Sequence, residues 1–289
     1  MNGLLIIDKP KGFTSHDVVA KCRGLLKTRR IGHGGTLDPM ATGVLPLFIG
    51  RATKAVDLIP RDEKRYTALV LTGLSTDSGD ITGQVTGRAA PPCRAAVERA
   101  VVQLTGEIGQ IPPMVSAVRV GGRHLYELAR RGQEVERPAR RVTIYSSVLA
   151  EWREDGFVLD VRCSKGTYIR TLAEDICRAA GTLGTLGALR RTESAGFTEA
   201  DAVTLEAVQA AADAGRAEEL LRPVEQLFCS LPRLTLTARE QRLFLNGVNI
   251  GCPLPEGRCA VYGPAGFLAV AEAAGGLLYK KAAFAEDIQ

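Results

Sequence analysis

The chain has 289 residues, 45% of them hydrophobic, 24% charged and 5% aromatic, with a formal net charge of +5. That composition excludes a disordered chain and predicts either one large domain with a small one or two of medium size. The seven cysteines (Cys22, Cys93, Cys163, Cys177, Cys229, Cys252 and Cys259) are odd in number and lack Cys-x-x-Cys spacing, which argues against a disulfide framework or zinc knuckle and for a reducing compartment.

The apolar run at residues 4–7 is too short for a signal-peptide core and has no basic residue before it. It reads as a buried strand, followed by a turn over 8–12. Ser15 is the expected N-cap of a helix, with Asp17 in its first turn; Val18, Val19, Cys22, Leu25 and Leu26 carry it to about residue 27. Residues 32–43 are rich in glycine and predict a shaped loop. A strand follows over 66–72, turns over 73–87 and a helix over 95–104. Residues 121–141 predict an arm with one short amphipathic helix through Leu125, Leu128 and Ala129. Strands over 142–150 and 157–163 lead to a helix on Ile169, Leu172, Ala173, Ile176 and Ala180, closed by Gly181. Thr204 caps another short helix, and a boundary is expected near 229–232. Thr237 and Glu240 form a capping box before a helix ending at Gly247; the remaining short strands suggest a small β-barrel. The apolar run over 265–279 is broken by Glu272, so no membrane segment is expected and a soluble cytoplasmic protein is.

Charge is unevenly spread. Residues 1–65 carry twelve Lys or Arg against six Asp or Glu, and residues 110–142 carry seven Arg against three Glu. Two basic segments suggest a polyanionic partner, although a solvated mixed surface has the same charge count. The glycine-rich segment holds one carboxylate, Asp38, followed by Pro39, which restricts it to extended conformations. An isolated loop of this kind is ordinarily a tight turn with the Asp capping backbone amides. No Gly-Lys-Ser/Thr or GxGxxG pattern marks it as a phosphate loop.

Residues 34–45, Gly-Gly-Thr-Leu-Asp-Pro-Met-Ala-Thr-Gly-Val-Leu, resemble the signature of the TruB family of pseudouridine synthases. Further stretches resemble its motifs in the same order: Asp8-Lys9-Pro10-Lys11-Gly12-Phe13-Thr14-Ser15, Lys64-Arg65-Tyr66, residues 76–83, Ile111-Pro112-Pro113-Met114-Val115-Ser116-Ala117, Gly166-Thr167-Tyr168-Ile169-Arg170 and Leu189-Arg190-Arg191-Thr192. Gly34 stands where many members have Thr, and Arg119 where Lys is common.

The resemblance implies an α/β (α+β) catalytic domain over residues 1–229, with a mixed, largely antiparallel sheet and an RNA-binding insertion at about 110–142. A small PUA-like RNA-binding domain would occupy 230–289. It implies a uridine-to-pseudouridine isomerase acting on the T-arm loop of tRNA after base flipping. The rearrangement neither gains nor loses atoms or electrons, so no cofactor and no metal is implied. Asp38 would be the reacting carboxylate, either as nucleophile, as stabiliser of a cleaved sugar or as acceptor of the C2′ proton. Arg170 would pair with it, Tyr66 and Tyr168 would flank the uracil, and Tyr168 would relay the C5 proton. Leu189 would line the pocket, His33 would fill the gap left by the flipped base, and Asp80 would support Arg170 and Asp38. Arg119, Arg123, Arg130, Arg131, Arg137, Arg140 and Arg141 would grip RNA phosphates. The expected partner is tRNA, taken by a monomer with no obligate protein partner. Two other readings stay open: a tRNA-folding chaperone, and the catalytic subunit of a guide-RNA particle.

Overall fold

The computed structural model describes residues 1–60, 63–116, 119–120, 122–125, 128, 132–133 and 135–284. Seven strands of its main sheet lie in the order β1 (Gly3–Lys9), β3 (Thr42–Ile49), β12 (Gly184–Ser194), β4 (Lys64–Thr72), β11 (Gly156–Cys163), β10 (Arg140–Trp152) and β7 (Gly106–Gln110). Two short strands extend it: β2 (Ile31–His33) pairs with β3, and β13 (Phe197–Thr198) with β12. The pairing of β12 with β3, through Arg190↔Thr42 and Arg191↔Gly43, is parallel; the other pairs are antiparallel, as the resemblance implies. Smaller ladders join β5 (Leu74–Thr76) to β6 (Val85–Arg88), and β8 (Arg119–Val120) to β9 (Arg123–His124).

Alternate residues of a strand face opposite sides of a sheet, and β1 is apolar at every position from 3 to 7 because both of its faces are covered. Leu5 and Ile7 pack with Val18, Val19 and Cys22 of α1 (Ser15–Leu25) and with Leu205 and Val208 of a helix over Leu205–Asp213. Leu4 and Ile6 turn the other way, toward Phe228, Ala260 and Val270. Further along the sheet, α2 (Arg94–Gln103) contributes Val97, Ala100 and Val101, and α3 (Ile169–Ala179) contributes Ile169, Leu172, Ala173 and Ile176, to a core with Val70, Leu159, Val161 and Leu186. Leu37, Met40, Tyr66 and Leu189 belong to that core too. Each such apolar side chain contributes roughly 1.5–3 kcal/mol by leaving water, so the loop at 37–40 is anchored by the same burial that fixes α3.

Some boundaries differ from the sequence reading. The N-cap of α1 is Thr14, one residue earlier than expected: Thr14 Oγ1 accepts from the Asp17 amide at 3.0 Å, and the Asp17 carboxylate accepts from the Thr14 amide at 2.8 Å. Ser15 is buried, and its hydroxyl serves the loop at Leu37 instead. Strand β3 has no clear signal in the sequence because Pro46 interrupts its pattern. The proline is tolerated because one edge of β3 is free of a ladder there: β12 meets it at Thr42 and Gly43, and β2 at Leu47, Phe48 and Ile49. The helix expected around Leu125, Leu128 and Ala129 falls partly outside the described residues, as do Arg130 and Arg131; Leu125 and Leu128 are buried.

Beyond residue 232, a five-stranded sheet runs β14 (Arg233–Thr235), β16 (Gly257–Gly263), β17 (Gly266–Ala274), β18 (Leu277–Ala283), β15 (Ile250–Gly251), with β14 and β15 at its edges. One side encloses Leu236, Phe244, Val261, Leu268 and Leu278. The other side presents Ala260, Tyr262, Val270 and Ala282 to the Leu4, Ile6, Val44 and Phe48 surface of the main sheet. Among the described residues, no helix is long and apolar enough to cross a membrane.

Candidate active site

The loop between β2 and β3 is held by side chains from distant parts of the chain. Ser15 Oγ accepts from the Leu37 amide at 2.9 Å and lies 3.3 Å from the Leu37 carbonyl. The Lys9 ammonium is fully buried and donates to the carbonyls of Phe13 (2.6 Å), Pro10 (2.9 Å) and Pro39 (3.3 Å). The Gly12 amide also donates to the Pro39 carbonyl, at 2.8 Å. From β12, fully buried Arg191 donates to the carbonyls of Val44 (2.7 Å), Gly35 (3.2 Å) and Thr36 (3.5 Å). Gly43 is required where β3 meets β12: its φ is +101° and a Cβ would lie 2.2 Å from the Arg191 carbonyl oxygen. This network fixes the residues on both sides of Asp38 and leaves the Asp38 side chain directed at a partner across the cleft.

That partner is Arg170, in the first turn of α3. Its Nε lies 2.9 Å from Asp38 Oδ2, and its Nη2 lies 3.3 Å from Oδ1, a two-point contact. The guanidinium is itself fastened, donating from Nη1 to the Ser78 carbonyl and from Nη2 to the Val115 carbonyl, both at 2.7 Å. The Arg170 side chain is 4% exposed and that of Asp38 32% exposed, so the arginine is structural floor and the carboxylate faces the opening. Burial pushes the Asp38 carboxyl above its ordinary pKa, and the Arg170 cation draws it back. Asp80 opposes the arginine by raising the Asp38 pKa further. Its own carboxylate lies 4.0 Å from Arg170 Nε and accepts from the Ser78 hydroxyl (3.0 Å) and the Thr82 amide (2.9 Å).

Thr36, Leu37, Asp38, Lys64, Tyr66, Ser116, Leu189 and residues 166–170 line a cleft of about 220 Å³. The sequence-predicted Asp38, Tyr66, Tyr168, Arg170 and Leu189 therefore meet in one place. Tyr66, on β4, is buried and its phenol pKa is raised by that burial; the Arg191 guanidinium faces its hydroxyl. Tyr168 is the half-buried N-cap of α3, with φ −101° and ψ 109°, and makes no side-chain capping bond. Register shifts between Leu186 and Ala188 and between Arg191 and Glu193 bracket the stretch that turns Leu189 into the cleft. Asp80 sits behind Arg170 and is not a lining residue.

His33 stands apart from the cleft. It lies on β2 opposite Leu47, its ring meeting His16 edge-on at 5.4 Å between centroids. Its Nδ1 is buried without a hydrogen bond, and burial lowers its pKa to about 4, so the ring is neutral near pH 7. Arg119 and Arg123 fall on β8 and β9; Arg140 and Arg141 open β10 and are exposed; Arg137 is half-buried. Sequence reasoning gave no role to Lys9, Gln110, Ser116 or Arg191. Lys9, Ser116 and Arg191 sit inside the motifs that carry the resemblance, and that placement was the available signal. Gln110 precedes its motif by one residue and gives no signal of its own.

Fold and cleft together define an enzyme built around one paired carboxylate beneath aromatic side chains. Residues 23–169 match the model of the TruB family pseudouridylate synthase N-terminal domain, and residues 170–228 match that of the tRNA pseudouridylate synthase B C-terminal domain. The chain belongs to the TruB family of pseudouridylate synthases. It is 48% identical over 253 residues to the tRNA pseudouridine synthase B of Ralstonia pickettii (strain 12J), covering 86% of this chain and 79% of that one. It is 44% identical to the protein of the same name from Dechloromonas aromatica (strain RCB), with 97% and 95% covered. A solved chain in a Cbf5-Nop10-Gar1 complex shares the fold, with a TM-score of 0.74 at 24% identity over 99% of this chain and 84% of that chain.

Proposed function

We propose that this enzyme converts a uridine in the T-arm loop of tRNA to pseudouridine, with Asp38 as the reacting carboxylate. The observation that carries the reading is the two-point contact of Asp38 with Arg170, at 2.9 and 3.3 Å, on the floor of a cleft walled by Tyr66, Tyr168 and Leu189. Relatives bearing the name tRNA pseudouridine synthase B at 42–48% identity support the substrate class.

The reaction breaks the bond from N1 of uracil to C1′ of the ribose and forms one from C5 to C1′; C5 gives up a proton and N1 gains one. The target base leaves the RNA stack before its glycosidic bond is reachable. Stacking on Tyr66 and Tyr168 offsets the lost stacking, by roughly 1–3 kcal/mol per base. Whether Asp38 attacks the nucleoside, stabilises the cleaved sugar or takes the C2′ proton, the ionised form is the reactant. Arg170 keeps it ionised despite burial and holds it at one rotamer. The Tyr168 hydroxyl can accept and donate a proton, which suits transfer from C5. The half-buried or exposed arginines Arg137, Arg140 and Arg141, with Arg119, Arg123, Arg130 and Arg131, supply phosphate contacts, and the sheet after residue 232 serves as a PUA-like second RNA surface. His33 enters the RNA loop as a neutral ring. The enzyme works on tRNA as a monomer in the cytoplasm, without guide RNA, cofactor or metal.

Purified protein incubated with an unmodified tRNA transcript alone tests the reading. Pseudouridine forms with the wild type, and Asp38→Asn binds the tRNA without forming it. Turnover by Asp38→Asn near the wild-type rate would reject the assignment, and product only after adding guide RNA would reject the stand-alone enzyme.

A further inference from the structure

Tyr168 occupies a turn with little of its own to fix it. Gly166 has φ +81°, Tyr168 itself is extended, and its side chain does not cap α3. The peptide planes on either side of such a residue fix the Cα–Cβ direction from which its ring projects, so whatever holds those planes limits where the ring can reach. The holder is Gln110, the last residue of β7. Its Oε1 accepts from the Tyr168 amide at 3.0 Å, and its Nε2 donates to the Tyr168 carbonyl at 3.2 Å. The same carbonyl accepts the first helical bond of α3, from the Leu172 amide at 3.0 Å, so both of its lone pairs are used.

Gln110 is 1% exposed, and both ends of its amide are spent on one residue 58 positions away. A buried amide is unfavourable unless both ends are bonded, so this pairing holds one geometry rather than many. The surroundings reinforce it. Gln110 is fixed to β10 by its register with Arg140, and Pro112 and Pro113 follow it. Five residues on, the Val115 carbonyl accepts from Arg170. One segment, 110–115, therefore grips the two residues at the entrance of α3 that meet in the cleft.

We propose that Gln110 is a positioning residue for the isomerisation, whose side-chain amide sets the aim of the Tyr168 ring by clamping the Tyr168 peptide groups on both sides. The proposal rests on the reading of Tyr168 as a group that meets the flipped base. Gln110 touches no substrate, so its loss changes the rate of the bound complex rather than binding of tRNA.

The test uses the full-length enzyme with an unmodified tRNA transcript and three variants. Gln110→Leu keeps the volume and removes both bonds; kcat falls by about tenfold to a hundredfold while KM for tRNA stays within about twofold. Gln110→Glu keeps the acceptor for the Tyr168 amide and, when ionised, sets a carboxylate against the Tyr168 carbonyl; when protonated it donates again. Burial raises the pKa of that carboxyl, so kcat of Gln110→Glu relative to wild type climbs as pH is lowered from about 8 to about 6. A purely structural glutamine gives a lower melting temperature in both variants and no such pH-dependent recovery. If Gln110→Leu fails to fold, the pH series on Gln110→Glu decides alone. Wild-type kcat in Gln110→Leu, or a flat ratio in Gln110→Glu, overturns the proposal. Tyr168→Ala separates the two layers: if it retains wild-type kcat, the reading of Tyr168 fails and this proposal with it. If it loses kcat while Gln110→Leu does not, only the clamp is wrong.

Discussion

The loop that carries Asp38 and the segment that carries the arginines differ in how they are held. Residues 35–39 are bonded to Lys9, Gly12, Ser15, Arg170 and Arg191, which come from both ends of the domain. From residue 119 to 141, by contrast, the described residues include a two-residue ladder of β8 with β9, buried Leu125 and Leu128, and Arg140 and Arg141, whose backbones pair β10 with β7 while their side chains are exposed. The difference follows from the tasks. A reacting carboxylate loses rate if displaced by 1 Å, whereas a phosphate contact tolerates rearrangement because its force is Coulombic and long-ranged.

The largest way to break this contrast is to unpair the carboxylate. Arg170→Leu leaves Asp38 buried without its cation, a loss of about 3–5 kcal/mol for a broken buried pair. Falling wholly on the transition state, that loss lowers kcat/KM by roughly two to four powers of ten, readable in a single-turnover assay. Next comes the loop's support. Arg191→Met leaves the carbonyls of Val44, Gly35 and Thr36 short of a donor, at about 1–3 kcal/mol for a buried unsatisfied group. The melting temperature should drop by at least about 2 °C, at roughly 2–4 °C per kcal/mol. Lys9→Met should act in the same direction and by less. Its burial already lowers the ammonium pKa to about 8, so keeping it charged below that pH is a cost that the neutral side chain removes. The smallest effect belongs to the other region. Arg140→Ala and Arg141→Ala should each weaken tRNA binding a few-fold, reduce the salt dependence by about one phosphate contact, and leave kcat within about twofold. A large kcat loss in either would dissolve the distinction between the two regions.

The sequence carried the fold unevenly, for identifiable reasons. Amphipathic α3, the N-cap of α1 and the capping box at Thr237 are local patterns, and they were legible to within a residue. Strand β3 was not, because Pro46 hides it until the free edge is seen. Strand β12 was missed because Arg190 and Arg191 look like surface charges; one is fully buried and the other is paired with Asp8 and Glu199. The site residues that touch the cleft were legible through their motifs. Their supports, Lys9, Gln110 and Arg191, were not, because they act by bonding to backbone carbonyls and amides whose proximity exists only after folding. His33 had a legible motif position, and its ring lies against His16, outside the cleft.

The acid limb of the pH–rate profile is the direct measurement of an ionised, arginine-held Asp38. Burial raises the Asp38 pKa and Asp80 raises it further. Protonation as pH falls through that raised value removes the reactive form, and activity is restored above it. The single-turnover rate of the wild type should therefore fall on an acid limb at higher pH than an ordinary aspartate would give, and Asp80→Asn should move that limb to lower pH by removing a neighbouring negative charge. A limb at the same pH in both enzymes, or a rate independent of pH through that range, would contradict the account.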